Sequence, residues 1–289
     1  MNSLSTFKNT VLFALMCGIA GIFSCESTNS ADSRTDSEPE KLVDQWQIEP
    51  VFGHWLDSLQ LDGAILIYDS GNRTYHTNDS AKSLVGQLPA STFKIPNSMI
   101  ALESGVATSD TMLIPWDGQD RMFDSWEADM TLRQAYRRSC LPCYQDLVRQ
   151  MGSKIIRKYL TQFDYPGMRF DSTDYDQFWV QGDSRINPVE QIGFLRRFNN
   201  RELNISTRTD SLMREIMRID EFRGQAVWAK TGWSIQDDQN NGWYVGFLEG
   251  EKGPVYFAVN ISPKEGFDMG QFSWRRISLA KIGLTHLLD

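Results

Sequence analysis

Strand-like runs at both ends of the chain, with helical periodicity between them, limit the fold more than any other feature. Residues 63–70 (Gly-Ala-Ile-Leu-Ile-Tyr-Asp-Ser) form an almost unbroken apolar run, followed by a Gly71-Asn72 turn and a short returning strand over 74–77. β-rich runs come back only at 226–230, 242–248 and 254–261. Between them Leu147, Val148, Met151, Ile155 and Tyr159 recur at helical spacing, and Asn187-Pro188 supplies an N-cap and first-turn proline before Ile192, Leu195 and Phe198. Leu212, Met213, Ile216 and Met217 mark another helix, and an amphipathic helix covers about 274–288. The pattern predicts an α+β domain, an α/β sandwich in which an antiparallel sheet built from both termini is flanked by helices. An all-helical subdomain fills the middle.

The 289 residues are 41% hydrophobic, enough for one large domain with a real core. A net charge of -8 leaves no basic excess to neutralise phosphates, which excludes a nucleic-acid partner. Lys8 followed by the uncharged run 11–23 has the form of a signal peptide, too short to span a bilayer as a mature helix. It ends in Ile22-Phe23-Ser24-Cys25, which resembles a bacterial lipoprotein cleavage box with Cys25 as the lipidated residue. Residues 1–24 are therefore expected to be a signal peptide. Residues 25–40, with five acids and one arginine between Glu26 and Glu40, are expected to be a flexible acidic tether, and 41–289 the folded domain. Export to the periplasm or outer membrane follows from that reading.

Cys17 and Cys25 belong to the signal region, which leaves Cys140 and Cys143 as Cys-Leu-Pro-Cys. An exported pair of this kind reads as packed thiols or a local bridge. No βαβ pattern accompanies it to make a redox motif, and His54, His76 and His286 lie too far away in sequence to complete a metal site.

Ser91-Thr92-Phe93-Lys94 is a Ser-x-x-Lys motif. On a helix, positions three apart share a face, so an amine can sit over the hydroxyl and take its proton. Alone the motif means little: about one copy is expected by chance in a chain of this length. Indeed Ser5-Thr6-Phe7-Lys8 repeats it in the signal segment. The second copy has company. Lys230-Thr231-Gly232 lies in a strand-like run, where the glycine leaves room for a ligand and the other two offer donors to a carboxylate. That triplet is expected by chance in roughly one such chain in ten or twenty.

Together with Ile95-Pro96-Asn97, Trp116-Asp117-Gly118, Asp176-Gln177-Phe178-Trp179 and Gly242-Trp243-Tyr244-Val245-Gly246, these motifs resemble the class D (oxacillinase-type) β-lactamases. The resemblance runs in order from about residue 60 to the C-terminus. It implies the penicillin-recognising serine-enzyme fold and hydrolysis of β-lactams, conferring antibiotic resistance. Ser91 would be the nucleophile and Lys94, carboxylated by CO2, the general base. Phe93, Leu141, Trp179 and Val180 would wall the lysine, and the Trp179 indole would steady its carbamate. Ser139 would relay a proton to the leaving nitrogen. The backbone N–H groups of Ser91 and Trp233 would form the oxyanion hole. Thr231 and Arg275 would hold the drug carboxylate, with Lys230 adding positive charge and Gly232 leaving room for the substrate; Arg276 is adjacent to Arg275. No metal is implied, CO2 or bicarbonate is the one co-reactant, and the protein would be a monomer or homodimer.

Two positions depart from the family pattern. Ser139-Cys140-Leu141 stands where the family has Ser-x-Val, and Tyr165-Pro166-Gly167 where it has Tyr-Gly-Asn. The larger leucine would press on the carbamate, and the proline stiffens its loop; both bear on turnover rate and substrate range. The alternatives are a β-lactam sensor that acylates but turns over poorly, and a penicillin-binding transpeptidase or carboxypeptidase. The sensors carry a transmembrane signalling segment and a cytoplasmic domain, for which the sequence presents no candidate. The transpeptidases usually carry a different middle motif, without the Trp179 match. A Ser-His-Asp hydrolase is disfavoured because no histidine lies near these motifs.

Overall fold

The computed structural model describes residues 43–289, so the expected signal peptide, Cys25 and the tether lie outside the described residues. In chain order the elements begin β1 (Gln45–Ile48), α1 (Pro50–Ser58), β2 (Leu61–Asp69) and β3 (Thr74–Thr77). A 3-10 turn (Ala90–Phe93) leads into α2 (Lys94–Glu103), followed by β4 (Leu113–Ile114), β5 (Met130–Thr131) and α3 (Leu132–Arg137). Then come α4 (Leu141–Gln162), α5 (Pro188–Asn199), α6 (Thr207–Met217) and β6 (Arg218–Phe222). The chain closes with β7 (Gln225–Gln236), β8 (Gln239–Gly250), β9 (Gly253–Pro263) and α7 (Phe272–Leu288).

Seven strands form one sheet in the order β1-β3-β2-β9-β8-β7-β6, built from both ends of the described chain as the sequence pattern predicts. One edge corrects the expectation of an antiparallel sheet. β1 runs parallel to β3, pairing Gln45 with Thr74 and Ile48 with Thr77, whereas every other neighbouring pair in this sheet is antiparallel. The sheet is therefore mixed. β1 is four residues long and exposed throughout, so it carries no burial pattern from which a sequence reading could find it.

The central strands are buried on both faces, which explains their near-continuous apolar composition. On one face Leu66, Tyr68, Trp243, Val245, Phe247, Tyr256 and Ala258 join the larger core with residues of α2 to α6. On the other, Ile65, Ile67, Tyr244, Phe257 and Val259 pack with Phe52 and Leu56 of α1 and Leu279 and Leu284 of α7. Helices thus cover both faces, and the α2–α6 segment is the insertion; it is not all-helical as expected, because β4 and β5 pair within it as a two-stranded antiparallel sheet.

Local chemistry sets the helix ends. At α5, Asn187 Oδ1 accepts from Glu190 N at 2.9 Å while Glu190 Oε2 accepts from Asn187 N at 2.8 Å, a reciprocal capping box with Pro188 in the first turn. A second box, Thr131 with Gln134, starts α3. α4 is interrupted at Gly152, whose φ of +74° a side chain would resist.

Candidate active site

Ser91 sits in the 3-10 turn and Lys94 opens α2, one turn on. Lys94 Nζ and Ser91 Oγ are hydrogen-bonded at 3.0 Å. The turn is held in place from three sides. Ala90 N donates to Trp179 O at 2.7 Å. The side chains of Asn241 and Trp243 on β8 both donate to Leu88 O at 2.8 Å, and Gln191 of α5 donates to Thr92 Oγ1 at 2.8 Å. Ala90, the residue before the nucleophile, has φ +50°, a left-handed conformation that costs an alanine on the order of 1 kcal/mol and persists because these bonds leave it no alternative.

Lys94 is completely buried. Its amine lies 4.9 Å from the centre of the Tyr144 ring, and desolvation lowers its pKa from 10.5 to about 7. The Tyr144 hydroxyl is bonded to Ser98 Oγ at 2.7 Å rather than to the amine. Of the walls expected from the sequence, Phe93 and Trp179 are fully buried, and Leu141 and Val180 pack half-buried against the same core. Trp179 stacks on Phe93, the neighbour of Lys94, at a centroid distance of 5.5 Å. Its indole Nε1 is buried with no hydrogen-bond partner. A buried donor left open in this way has the right polarity to hold an anionic oxygen.

The loop carrying Trp179 is closed at its base. Gly167, in the segment that departs from the family pattern, has φ +73° and lies so close to Arg185 that a Cβ there would fall 1.8 Å from the Arg185 carbonyl oxygen. Only glycine fits. Tyr165, two residues earlier, sets its ring edge against Phe93 at 5.9 Å.

β7 supplies the third part of the site. Gly232 lies against the turn, where a Cβ would meet Pro89 O at 3.1 Å and Thr92 Cγ2 at 3.2 Å. Lys230 is buried; its Nζ bonds Ser139 Oγ and donates to Thr231 O at 2.9 Å. Desolvation lowers the Lys230 pKa well below its usual value, with the positive charges of Lys94 and Arg276 adding to the effect. Ser139, half-buried with φ +52°, precedes α4 and thus faces the same lysine. The structure therefore brings together Ser91, Lys94, Ser139, Lys230, Thr231 and Gly232. Trp233 follows on the strand, with its indole bonded to Asn240 Oδ1 at 2.8 Å.

Arg275 is placed differently. Its Nε bonds Gln271 Oε1 at 3.0 Å one turn back on α7, and its guanidinium lies over Trp274. Arg276 is the buried one: its Nη1 donates to Gly232 O and its guanidinium lies 5.8 Å from the Trp233 ring centre. One residue turns a helix by about 100°, so the two adjacent arginines cannot share a direction. The basic side chain in contact with the Lys230–Gly232 strand is Arg276, whereas the contacts of Arg275, the residue expected from the sequence, are with Gln271 and Trp274.

The sequence reading passed over Tyr136, Tyr144, Asn241 and Trp243. The first two ring the lysines (Lys230 Nζ lies 5.4 Å from the Tyr136 centre) and the last two anchor the turn. Trp243 stood in a quoted motif without a role; the tyrosines had no signal beyond aromatic composition.

With this geometry in place, comparisons with known proteins decide the family. The sequence model of the penicillin-binding-protein transpeptidase domain matches residues 62–275. The β-lactamase OXA-48 of Klebsiella pneumoniae is 34% identical over 220 residues, 76% of this chain and 83% of the relative. The chain belongs to the class D β-lactamases. Among solved structures, the class D β-lactamase YbXI from Nostoc is 35% identical with a TM-score of 0.77, covering 83% of this chain and 99% of its own. The C-terminal domain of the Bacillus licheniformis BlaR penicillin receptor is 25% identical with a TM-score of 0.75, covering 84% and 96%. Among the described residues of this class D chain no group of His, Cys, Asp and Glu side chains is arranged to hold a metal ion, and no helix is long and apolar enough to cross a membrane.

Burial of Lys94 has a sign that stability measurements can read. Between about pH 7 and 10.5 the unfolded chain binds a proton at Lys94 that the folded chain does not, so stability rises with pH through that window. Below it the full cost of the buried charge remains. Lys94→Met should therefore be more stable than the parent near pH 6, by on the order of 4 kcal/mol, with the gap closing as pH approaches 10. Denaturant melts across pH in CO2-free buffer test this; a pH-independent difference would contradict it.

Proposed function

We propose that this chain hydrolyses β-lactam antibiotics through an acyl-enzyme at Ser91, with Lys94 taking and returning the proton. The observation that carries the reading is the fully buried Lys94 amine, bonded to Ser91 Oγ at 3.0 Å with a pKa lowered to about 7. A neutral amine can act as a base at physiological pH, whereas an ordinary lysine cannot.

The substrate's carboxylate is met by Thr231 and Arg276, with Lys230 adding positive charge. The lactam carbonyl oxygen faces the backbone N–H groups of Ser91 and Trp233, which stabilise it as charge develops. Ser91 Oγ bonds to the carbonyl carbon as its proton leaves toward Lys94, the lactam C–N bond breaks, and Ser139, bonded to Lys230, passes a proton to the departing nitrogen. The proton held by Lys94 restores Ser139 through Lys230; water then attacks the ester carbonyl, giving its proton to Lys94, which returns it to Ser91 Oγ as the acyl group leaves.

Only a neutral amine reacts with CO2, and the environment of Lys94 fits that modification: it is apolar, and the orphan Trp179 Nε1 would hold the added carboxylate. When present, CO2 supplies an oxygen base for both halves of the cycle. The half-buried Leu141 narrows the same region and limits access of CO2 and water. Export, a Cys25 lipid anchor and the acidic tether complete the reading, supported by the sequence of residues 1–40.

A second reading, slow release by a β-lactam sensor, is favoured by the similarity to the BlaR penicillin-receptor domain. Turnover separates the two. The purified chain should hydrolyse a chromogenic cephalosporin continuously, with bicarbonate restoring activity lost on exposure to low pH. The rate should fall as pH drops below about 7, where Lys94 gains its proton. Lys94→Ala should lose at least about a hundredfold in deacylation. A stoichiometric burst with no turnover would support the sensor, and undiminished turnover in the variant would refute the base.

The two arginines give an independent check. Arg276→Ala should lower kcat/KM for a penicillin by about ten- to a hundredfold, the loss of a charge-assisted bond, whereas Arg275→Ala should stay within about twofold. Equal effects would contradict the placement.

A further inference from the structure

Cys140 and Cys143 are bridged in the structure, with Cα atoms 5.5 Å apart. The bridge lies next to Ser139, which has the left-handed φ of +52° and touches Lys230 through its hydroxyl. A serine held there is strained, and such a residue persists only when its surroundings leave no alternative. Upstream, the restraints are hydrogen bonds: Ser139 N donates to Tyr136 O at 3.1 Å and Cys140 N to Ala135 O at 2.9 Å. Arg138 O, in addition, accepts from the Trp126 indole at 3.0 Å. Downstream, the restraint is covalent.

Cys140 occupies the N-cap of α4, where a serine, threonine or aspartate side chain would ordinarily accept from the third backbone N–H. Cys140 Sγ does accept from Cys143 N, at 3.2 Å, but it is also bonded to Cys143 Sγ, the side chain of that same third residue. The four-residue ring so closed contains Leu141, the wall residue of the Lys94 pocket. Cys140 is fully buried and Cys143 is 9% exposed. Among the described residues these sulfurs belong to no group of side chains arranged to hold a metal ion, and the bridge spans too few residues to restrict the unfolded chain much. What it does restrict is the direction in which the chain leaves Ser139.

We propose that the Cys140–Cys143 disulfide is a positioning device for Ser139, and that its reduction by a dithiol slows the reaction while leaving substrate binding intact. This rests on the reading of Ser91 and Lys94 as the reacting pair. The redox step balances: two electrons and two protons from the dithiol convert the bridge to two thiols, and the dithiol becomes a cyclic disulfide. Without the bridge the α4 N-cap keeps only a weak sulfur acceptor. Ser139 is then free to relax toward an ordinary φ, and its hydroxyl leaves Lys230.

The test uses the protein with its bridge intact, reduced by dithiothreitol to completion as judged by the mass of the alkylated thiols. Acylation of Ser91 by a penicillin, read by mass, and steady-state turnover are compared in the two redox states. Expected are a fall of about tenfold or more in acylation rate and kcat, KM within about twofold, and full recovery on reoxidation. The double variant Cys140→Ser with Cys143→Ser keeps a capping oxygen without the covalent link. It should match the reduced protein and ignore dithiothreitol. If that variant does not fold, the reversible reduction of the parent decides alone. Equal rates in both redox states would overturn the proposal and leave the reading of Ser91 standing. No acylation in either state would overturn both.

Discussion

The removal of one lysine amine from water is the condition on which the whole site depends. Lys94 opens a helix one turn after Ser91, so backbone geometry alone brings amine and hydroxyl to 3.0 Å. Geometry does not make a base, however. A charged ammonium beside a serine hydroxyl would donate to it and hold the proton in place. What changes its chemistry is the apolar enclosure formed by Phe93, Trp179, Tyr144 and the neighbouring core, which disfavours the charged form.

That enclosure is assembled from segments far apart in the chain, and the sheet holds them in register. β8 anchors the turn before Ser91 through Asn241 and Trp243, and β7 presents Lys230 to Ser139 while Gly232 lets the strand approach Pro89 and Thr92. The helical insertion supplies Tyr144 and, through the loop closed at Gly167 and Arg185, Trp179. Two non-glycine residues in left-handed conformations, Ala90 and Ser139, flank the chemistry, one on each contributing segment. The lysine pair adds a second constraint. Beyond its own desolvation, the positive charges of Lys94 and Arg276 disfavour protonation of Lys230, so the pocket does not readily carry every charge until an anionic group enters.

Much of this was legible in the sequence, and for identifiable reasons. The strands with apolar side chains on both faces, the Asn187-Pro188 helix start and the Ser-x-x-Lys and Lys-Thr-Gly motifs each depend on local spacing, which a sequence displays. β1 and β6 were not legible. β1 is exposed, and β6 has a single buried residue, Phe222, so neither carries a clear burial pattern. Which of Arg275 and Arg276 touches the Lys230–Gly232 strand turns on one step of helical rotation, set by the position of α7 on the sheet. The bridge at Cys140 and Cys143 lay open between thiols and disulfide until the helix start placed their Cα atoms 5.5 Å apart. The lone donor of Trp179 is a property of three-dimensional packing, invisible in composition or spacing.

The most direct test of the account is the protonation state of Lys94 itself. With the lysine side chains labelled and the Lys94 signal assigned by its loss in Lys94→Met, NMR titration of the Nζ resonance in CO2-free buffer measures it without reference to turnover. The midpoint should lie near pH 7, and a new carbonyl signal attached to that nitrogen should appear when labelled bicarbonate is added at neutral pH. A midpoint above pH 9, with no bicarbonate-dependent signal, would contradict it.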